Sequence, residues 1–458
     1  MHITYDHSLK VAGVGMLPWR RLGPERWFPN YAIASLYDNG GVAYGPRVVA
    51  LSSKDAPAVL NRRNTRTLLA NEEFQKRIDA ELPGYDLMLY RATHTPPALM
   101  NRKVLMPDER LVRTYEDKVL FRQKFSSIIP FAPFSIVARS ALQPENTAYA
   151  KLSKLYPNGM VIQDAHLSGG QGTFIIKDFT AYERAVKCLA RPGMQDEPVV
   201  VSKMLSSARE LSVQACVTQK GIYVGPLQRQ VIHDSLLSLD VPGASSFCGI
   251  QITANEQESE LHEQLVRIAQ QIGEVMKEEG YRGIFGIDFL QAQDGTVYVL
   301  EVNPRITGAT PLLSALYSTE EAIPFYLLHI LELGGYSYQV VDDTARFVKD
   351  GSLLVVHSLL PEAALVAELP RAGTYRMVDG ELQRVGDQLS LDGLMSNEFV
   401  LLPQTQLGER VSPGGMLVSM LFNRSVVDVE TGKIQDDVRE IVTTQRATIR
   451  LTQEEVSK

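Results

Sequence analysis

The sequence predicts an α/β (α+β) fold of several domains, with an α/β unit at the N-terminal end and a mostly β unit at the C-terminal end. Four observations carry that expectation. Over residues 1 to about 110, short apolar runs such as 48–51 and 87–90 alternate with polar, helix-compatible stretches. An amphipathic segment at 256–279 places Leu261, Leu265, Ile268, Ile272, Val275 and Met276 on one stripe, and Gly280 ends it. Two runs of alternating apolar residues follow, around Asp294-Gly295. From Tyr336 onward, strand-like runs at 353–357, 398–402 and 416–422 are separated by glycine turns and carry no ionisable cluster.

A chain of 458 residues has room for two to four cores. Its 45% hydrophobic and 22% charged content is that of an ordinary globular protein. A net charge of −7 without a long basic run speaks against nucleic acid or an anionic membrane as partner. The opening M-H-I-T-Y-D-H-S lacks a basic region followed by an apolar stretch, and no run of about 18 apolar residues occurs, so a cytoplasmic protein is expected. Cys188, Cys216 and Cys248 are too widely spaced for a zinc motif and read as reduced core thiols.

In chain order, Gly13-Val14-Gly15 fails as a dinucleotide fingerprint because Pro18 stands where a third glycine belongs, and a plain loop is expected. Trp19, Arg20, Arg21, Trp27 and Phe28 suit either a substrate cleft or a domain interface. Thr114-Tyr115-Glu116-Asp117 has capping-box spacing, which predicts a helix through Val119, Leu120 and Phe125 with Lys118 in its first turn. A strand at 160–164, the loop Ser168-Gly169-Gly170-Gln171-Gly172-Thr173 and a strand at 174–177 have the shape of a flap. Its glycines would let backbone N–H groups converge on phosphate oxygens. A strand at 198–201 leads into Lys203-Met204-Leu205, and further strands are expected at 210–217 and 225–230. His166 and His233 fall in loops near the same region.

The stretch 283–310, G-I-F-G-I-D-F-L-Q-A-Q-D-G-T-V-Y-V-L-E-V-N-P-R-I-T-G-A-T, holds the densest chemistry. Asp294-Gly295 predicts a two-residue type I′ turn, in which paired residue numbers sum to 589 and Asp288 faces Glu301. Asn303 shares their face, while Phe285, Ile287, Phe289, Leu300 and Val302 fill the core side. Carboxylates opposed at roughly 5 Å repel by about 3 kcal/mol at an effective dielectric of about 20. Mg²⁺ removes that cost, because it binds one or two carboxylates and completes its shell with phosphate oxygens. Arg305, just past Pro304, can supply a bidentate phosphate contact. A magnesium–nucleotide site is the reading; a polar solvent face on an edge hairpin is the alternative.

Taken in order from about Asp117 to Thr310, these segments resemble the ATP-grasp superfamily of carboxylate–amine ligases. The resemblance implies that Asp288, Glu301 and Asn303 hold Mg²⁺, that Arg305 contacts the γ-phosphate or acyl phosphate, and that Lys118 lies near the phosphates of ATP. It implies a phosphate flap in Ser168, Gly169, Gly170 and Gly172, an adenine hinge in Lys203, Met204 and Leu205, and a ribose position for Glu210. One departure is Gln163, which stands where such proteins usually carry a lysine. Among relatives, peptide ligases of the pheganomycin type look most similar. The implied domains are 1–113, a flap domain at 114–201, a catalytic domain at 202–335 and an accessory domain at 336–458. The implied reaction joins a carboxylate from an amino acid or peptide-like acid to an amine through an acyl phosphate, in a protein that can be a homodimer. Arg229 is a candidate for holding a substrate carboxylate. A nucleotide-binding regulatory or scaffold protein without turnover, and a ligase with a thiol or hydroxyl acceptor, stand as alternatives.

Overall fold

The computed structural model describes residues 1–453 except 39, 41, 43–44, 52–63, 100, 168–171, 191–196, 207, 240–246 and 318–321. The N-terminal unit is a five-stranded parallel sheet in the order Arg47–Ala50, Ala32–Ser35, Val11–Gly15, Asp86–Leu89, Val104–Leu105. Leu68, Leu69, Phe74 and Ile78, from the helices Thr65–Leu69 and Glu72–Glu81, pack against it. Gly13-Val14-Gly15, expected as a loop, lies in the central strand, whose residues are all buried. A Cβ on Gly13 would collide with the Tyr31 hydroxyl and one on Gly15 with the Arg21 guanidinium, so close packing explains the glycines.

A four-stranded antiparallel sheet follows, in the order Phe134–Ala138, Pro198–Lys203, Met160–Asp164, Thr173–Ile176. The helices Asn146–Leu155 and Phe179–Leu189 cover it through Leu152, Tyr182, Val186 and Leu189. Below this unit two helices, Glu109–Glu116 and Lys118–Phe125, meet at Asp117. The cap is Asp117 rather than the expected Thr114: its Oδ1 accepts from the amides of Val119 (2.8 Å) and Leu120 (2.9 Å). A carboxylate there also complements the helix dipole.

The largest sheet has eleven strands. It begins with the hairpin Val297–Asn303 and Gly283–Gln291, passes through Arg209–Val217, Gln228–Ile232 and Phe247–Ile252, and continues into Gly351–His357, Met416–Phe422, Glu398–Pro403, Gly373–Val378 and Glu381–Gly386, while the short strand Ile222–Val224 pairs with Arg209–Val217 off this path. Ile250 pairs with Leu353, so one sheet runs across the 335/336 position. The strand Tyr338–Asp342 pairs with His2–Tyr5 from the other end of the chain. The amphipathic helix is Glu260–Glu278, shorter than expected because Ser259 caps it by accepting from the His262 amide. Its Leu265, Ile268, Ile272 and Met276 share a core with Phe285, Ile287 and Phe289, directly behind the hairpin. Cys216 and Cys248 are buried thiols, whereas Cys188 is exposed. Among the described residues, no helix is long and apolar enough to cross a membrane.

Candidate functional site

The hairpin brings Asp288 opposite Glu301 by a route different from the expected one. Near the turn, Gln291 pairs with Val297 and Phe289 with Val299, a register one residue short of the predicted sum. The turn is a three-residue loop: Ala292 N–H donates to Thr296 (2.8 Å), Gly295 N–H donates to Ala292 (2.9 Å), and Gly295 alone has positive φ, +87°. That is a type I turn closed by a glycine bulge, not the type I′ turn that would need positive φ at Asp294 as well. A second bulge then inserts Leu300, and from there Asp288 faces Glu301 and Gly286 faces Asn303. The Val299 amide beside it donates to Pro130 (2.9 Å) outside the hairpin. In consequence Val299 takes the core position expected for Leu300, and Leu300 lines the cleft.

Around this pair the side chains form a closed network. Asp288 accepts from Gln230 Nε2 (2.6 Å) and Asn303 Nδ2 (2.9 Å). Arg305 donates through Nη2 to Asn303 Oδ1 (2.9 Å), and its Nε lies 3.4 Å from Glu116 Oε1. Lys118, 5% exposed, reaches Glu301 Oε2 at 3.2 Å and donates to the Leu167 carbonyl at 2.6 Å. One helical turn on, Arg122 donates to Gln163 Oε1 (3.0 Å) and the Lys118 carbonyl (3.2 Å). Burial first, and the facing Glu301 second, push the Asp288 carboxyl well above the usual carboxylate range. A cation between the two would reverse that shift. Among the described residues, no group of three or more His, Cys, Asp or Glu gathers in a metal-holding arrangement. Two carboxylates and one amide oxygen fit a hard cation that takes its remaining ligands from phosphate and water.

The other predicted residues sort into three groups. Gln163, Lys203, Met204, Leu205 and Glu210 line the same cleft, which encloses about 1770 Å³. The amides of Lys203 and Met204 already donate to Pro133 (2.8 Å) and Gly159 (3.1 Å). Burial raises the Glu210 carboxyl from 4.5 to about 7. Ser168, Gly169 and Gly170 lie outside the described residues. The base of their loop is pinned: Asp164 N–H donates to Gly172 (2.9 Å), and Asp164 Oδ1 accepts from the His166 amide (2.9 Å). A Cβ on Gly172 would press on Leu167 (2.7 Å) and Asp164 (2.8 Å), so only glycine fits. Arg229 is not brought to the site. It points to the other side of its strand and forms a bidentate pair with Glu256, with Nε at 2.8 and 2.9 Å from the two oxygens.

Ser212, Gln228 and Gln230 escaped the sequence reading, as did Glu116 and Arg122. Ser212 and Gln228 bond to each other (3.2 Å) on the cleft face, and Gln228 Nε2 is buried without an acceptor among the described residues. The signal was the polar alternation of Glu210, Ser212 and Gln214 against Leu211, Val213 and Ala215. Trp19, Arg20 and Arg21 line the far side of the cleft, while Trp27 and Phe28 pack in the adjoining core. His233 also lines it, and His166 is half-exposed beside Asp117 (3.4 Å).

A glycine-closed loop and a hinge strand on the four-stranded sheet, with a carboxylate hairpin on the eleven-stranded one, fit the ATP-grasp fold, and residues 115–309 match the ATP-grasp domain family. The large chain of carbamoyl phosphate synthase from Halomonas eurihalina is 24% identical over 207 residues, which are 45% of this chain and 18% of that protein. The arginine-specific large chain from Geobacillus stearothermophilus is 26% identical over 286 residues, 61% of this chain and 24% of that protein. The chain thus spans about a quarter or less of these curated relatives. Among solved structures, the biotin carboxylase domain of 2-oxoglutarate carboxylase from Hydrogenobacter thermophilus superposes with a TM-score of 0.61 at 11% identity, covering 97% of this chain and 91% of that one. That structure is a dimer in complex with MgADP, ADP and bicarbonate. Phosphoribosylamine–glycine ligase from Thermotoga maritima gives a TM-score of 0.56 at 16% identity, with 97% of each chain covered. These likenesses establish the fold across nearly the whole chain and give no support to a grouping with pheganomycin-type ligases.

Proposed function

We propose that the cleft binds ATP with Mg²⁺ and that the protein is an ATP-dependent ligase joining a carboxylate, from an amino acid or peptide-like acid, to an amine. The observation that carries this reading is the opposed pair Asp288 and Glu301, which line one cleft with Asn303 and Arg305 and have the buried Lys118 on Glu301. Asp288, Glu301 and the Asn303 amide oxygen would hold Mg²⁺, which supplies charge neutralisation for the transferring phosphoryl. Lys118 would exchange Glu301 for phosphate oxygens, and Arg305 would exchange Asn303 for them. With two hinge amides committed to protein carbonyls, the Leu205 amide is the one left to meet the adenine edge. Glu210 would accept from the ribose hydroxyls, which gives its buried carboxylate donors, of which it has none among the described residues. The loop bearing Ser168, Gly169, Gly170 and Gly172 would close over the phosphates and exclude water from an acyl phosphate. The acid and amine would lie beyond, between Arg20 and Gln404 at the rim and the apolar floor of Leu353, Val355, Leu402 and Leu421.

In that reaction the substrate carboxylate attacks the γ-phosphorus, ADP leaves, and the amine then displaces phosphate from the acyl carbon. Oxygen-18 placed in the carboxylate should therefore appear in released phosphate when purified protein turns over an acid with an amine. AMP and pyrophosphate as products would overturn the mechanism, and ADP without label transfer would point to direct phosphoryl transfer to a hydroxyl or to hydrolysis of ATP by water.

A further inference from the structure

We propose that Arg122 is a phosphate-binding cation of this cleft, positioned to take the polyphosphate of the nucleotide beside the uncharged Gln163. The inference rests on the nucleotide reading above and adds a residue that no motif marks. Lys118 and Arg122 are four residues apart on the helix Lys118–Phe125, so they present the same face. Arg122 lines the cleft and yet is only 3% exposed. A guanidinium has five N–H donors. It makes two hydrogen bonds among the described residues, both to uncharged carbonyl oxygens, at Gln163 and Lys118. Among the described residues no carboxylate forms an ion pair with it; Glu301 acts on it only at longer range. A buried cation without a counter-charge is unfavourable unless an anion completes it. The rings of Phe131 (5.6 Å) and Phe134 (5.9 Å) lie beside the guanidinium within cation–π range.

Its position selects phosphate among anions. Gln163, which holds Arg122, pairs with Val200, three residues before the hinge residue Lys203 on the adjacent strand. Three residues along a strand are about 10 Å, the reach from the edge of a purine base to its phosphates. Gln163 also bonds Thr173 (3.4 Å), next to Gly172 at the base of the glycine loop. An anion that touches Arg122 therefore lies between the hinge and the Asp288–Glu301 pair, where the polyphosphate chain of a nucleotide would run.

The test compares ligands that differ only in phosphate. Calorimetry on the full chain would measure MgADP, and displacement would measure adenosine, for the wild type, R122Q, R122M and the double variant R122Q/Q163K. R122Q should weaken MgADP by about tenfold to a hundredfold, the worth of a charge-assisted hydrogen bond, and leave adenosine within about twofold. The double variant should recover most of the loss, because a lysine at 163 returns a cation to the same space. Equal losses for both ligands, or MgADP binding within about twofold of wild type in R122Q, would overturn the proposal. Circular dichroism checks that each variant is folded, and R122M, which keeps the apolar stem, replaces R122Q if that variant is not. A wild-type protein that binds neither ligand would refute the nucleotide reading itself, a distinct outcome.

Discussion

Glu210 sits on the cleft face of the strand Arg209–Val217, with no hydrogen-bond donor among the described residues, and burial alone lifts its carboxyl from 4.5 to about 7. That rise corresponds to about 3 kcal/mol, an upper value for a side chain that keeps some contact with the cleft. The sign follows from proton linkage. The folded state holds the Glu210 proton more tightly than the unfolded chain does, so this stabilisation is full below pH 4.5 and is lost as pH rises through about 7. Glu210→Gln keeps the shape and cannot ionise. In denaturant titrations without nucleotide, the variant should therefore gain stability over wild type between about pH 5 and 8, approaching 3 kcal/mol at the upper end. Ligand binding supplies the second half of the test. Ribose hydroxyls donating to the carboxylate would favour its ionised form, so MgADP should release protons near pH 7 from wild type and fewer from Glu210→Gln. Calorimetry in buffers of different ionisation enthalpy reads that difference directly. Identical pH profiles and identical proton release in the two proteins would refute the reasoning.

Two further substitutions separate the metal pair from its surroundings. Glu301→Gln should lower turnover by on the order of a hundredfold or more. The unliganded fold should persist, because losing the Lys118 contact is offset by relief of the repulsion with Asp288; near-normal rates at saturating magnesium would sink the assignment. Arg229→Leu should behave oppositely: it breaks a bidentate pair whose partners are each 16% exposed, costing about 1–3 kcal/mol in chemical denaturation, while the ATP KM stays unchanged. A raised KM with unaltered stability would return Arg229 to the site.

What the sequence yields of this fold follows the range of the interaction involved. Period-two alternation over 283–303 is local, and it identifies both hairpin strands and the shared face of Asp288, Glu301 and Asn303. The register survives only because two departures cancel. The three-residue loop shortens the pairing sum by one, and the Leu300 bulge restores it before the carboxylates are reached. No local pattern announces that bulge, since its cause is a carbonyl on the distant Pro130. Sheet continuity is hidden for the same reason. Ile250 and Leu353 pair across about a hundred residues of chain, and each strand alone reads as an edge of its own unit. The glycines at 13 and 15 mislead because a strand packed tightly on both faces has the composition of a turn.

At the site, a sequence names residues able to carry charge but not the residue that satisfies each one. Arg229 is matched with Glu256, 27 residues away, and Gln230 with Asp288, 58 away. Strand parity was nonetheless available. Leu227 and Val231 are buried at odd positions, which turns Arg229 toward the packed side and gives the cleft to Gln228 and Gln230. Arg122 was hidden by the opposite effect, for an arginine one turn beyond Lys118 reads as a solvated helix face. Only the arrival of Gln163, 41 residues later in the chain, and of two phenylalanine rings removes it from water. Proximity built by folding thus leaves Arg229 neutralised and Arg122 without an ion-pair partner among the described residues, although the two are the same residue type. That difference, rather than the presence of an arginine, decides which of them can take up an anionic ligand.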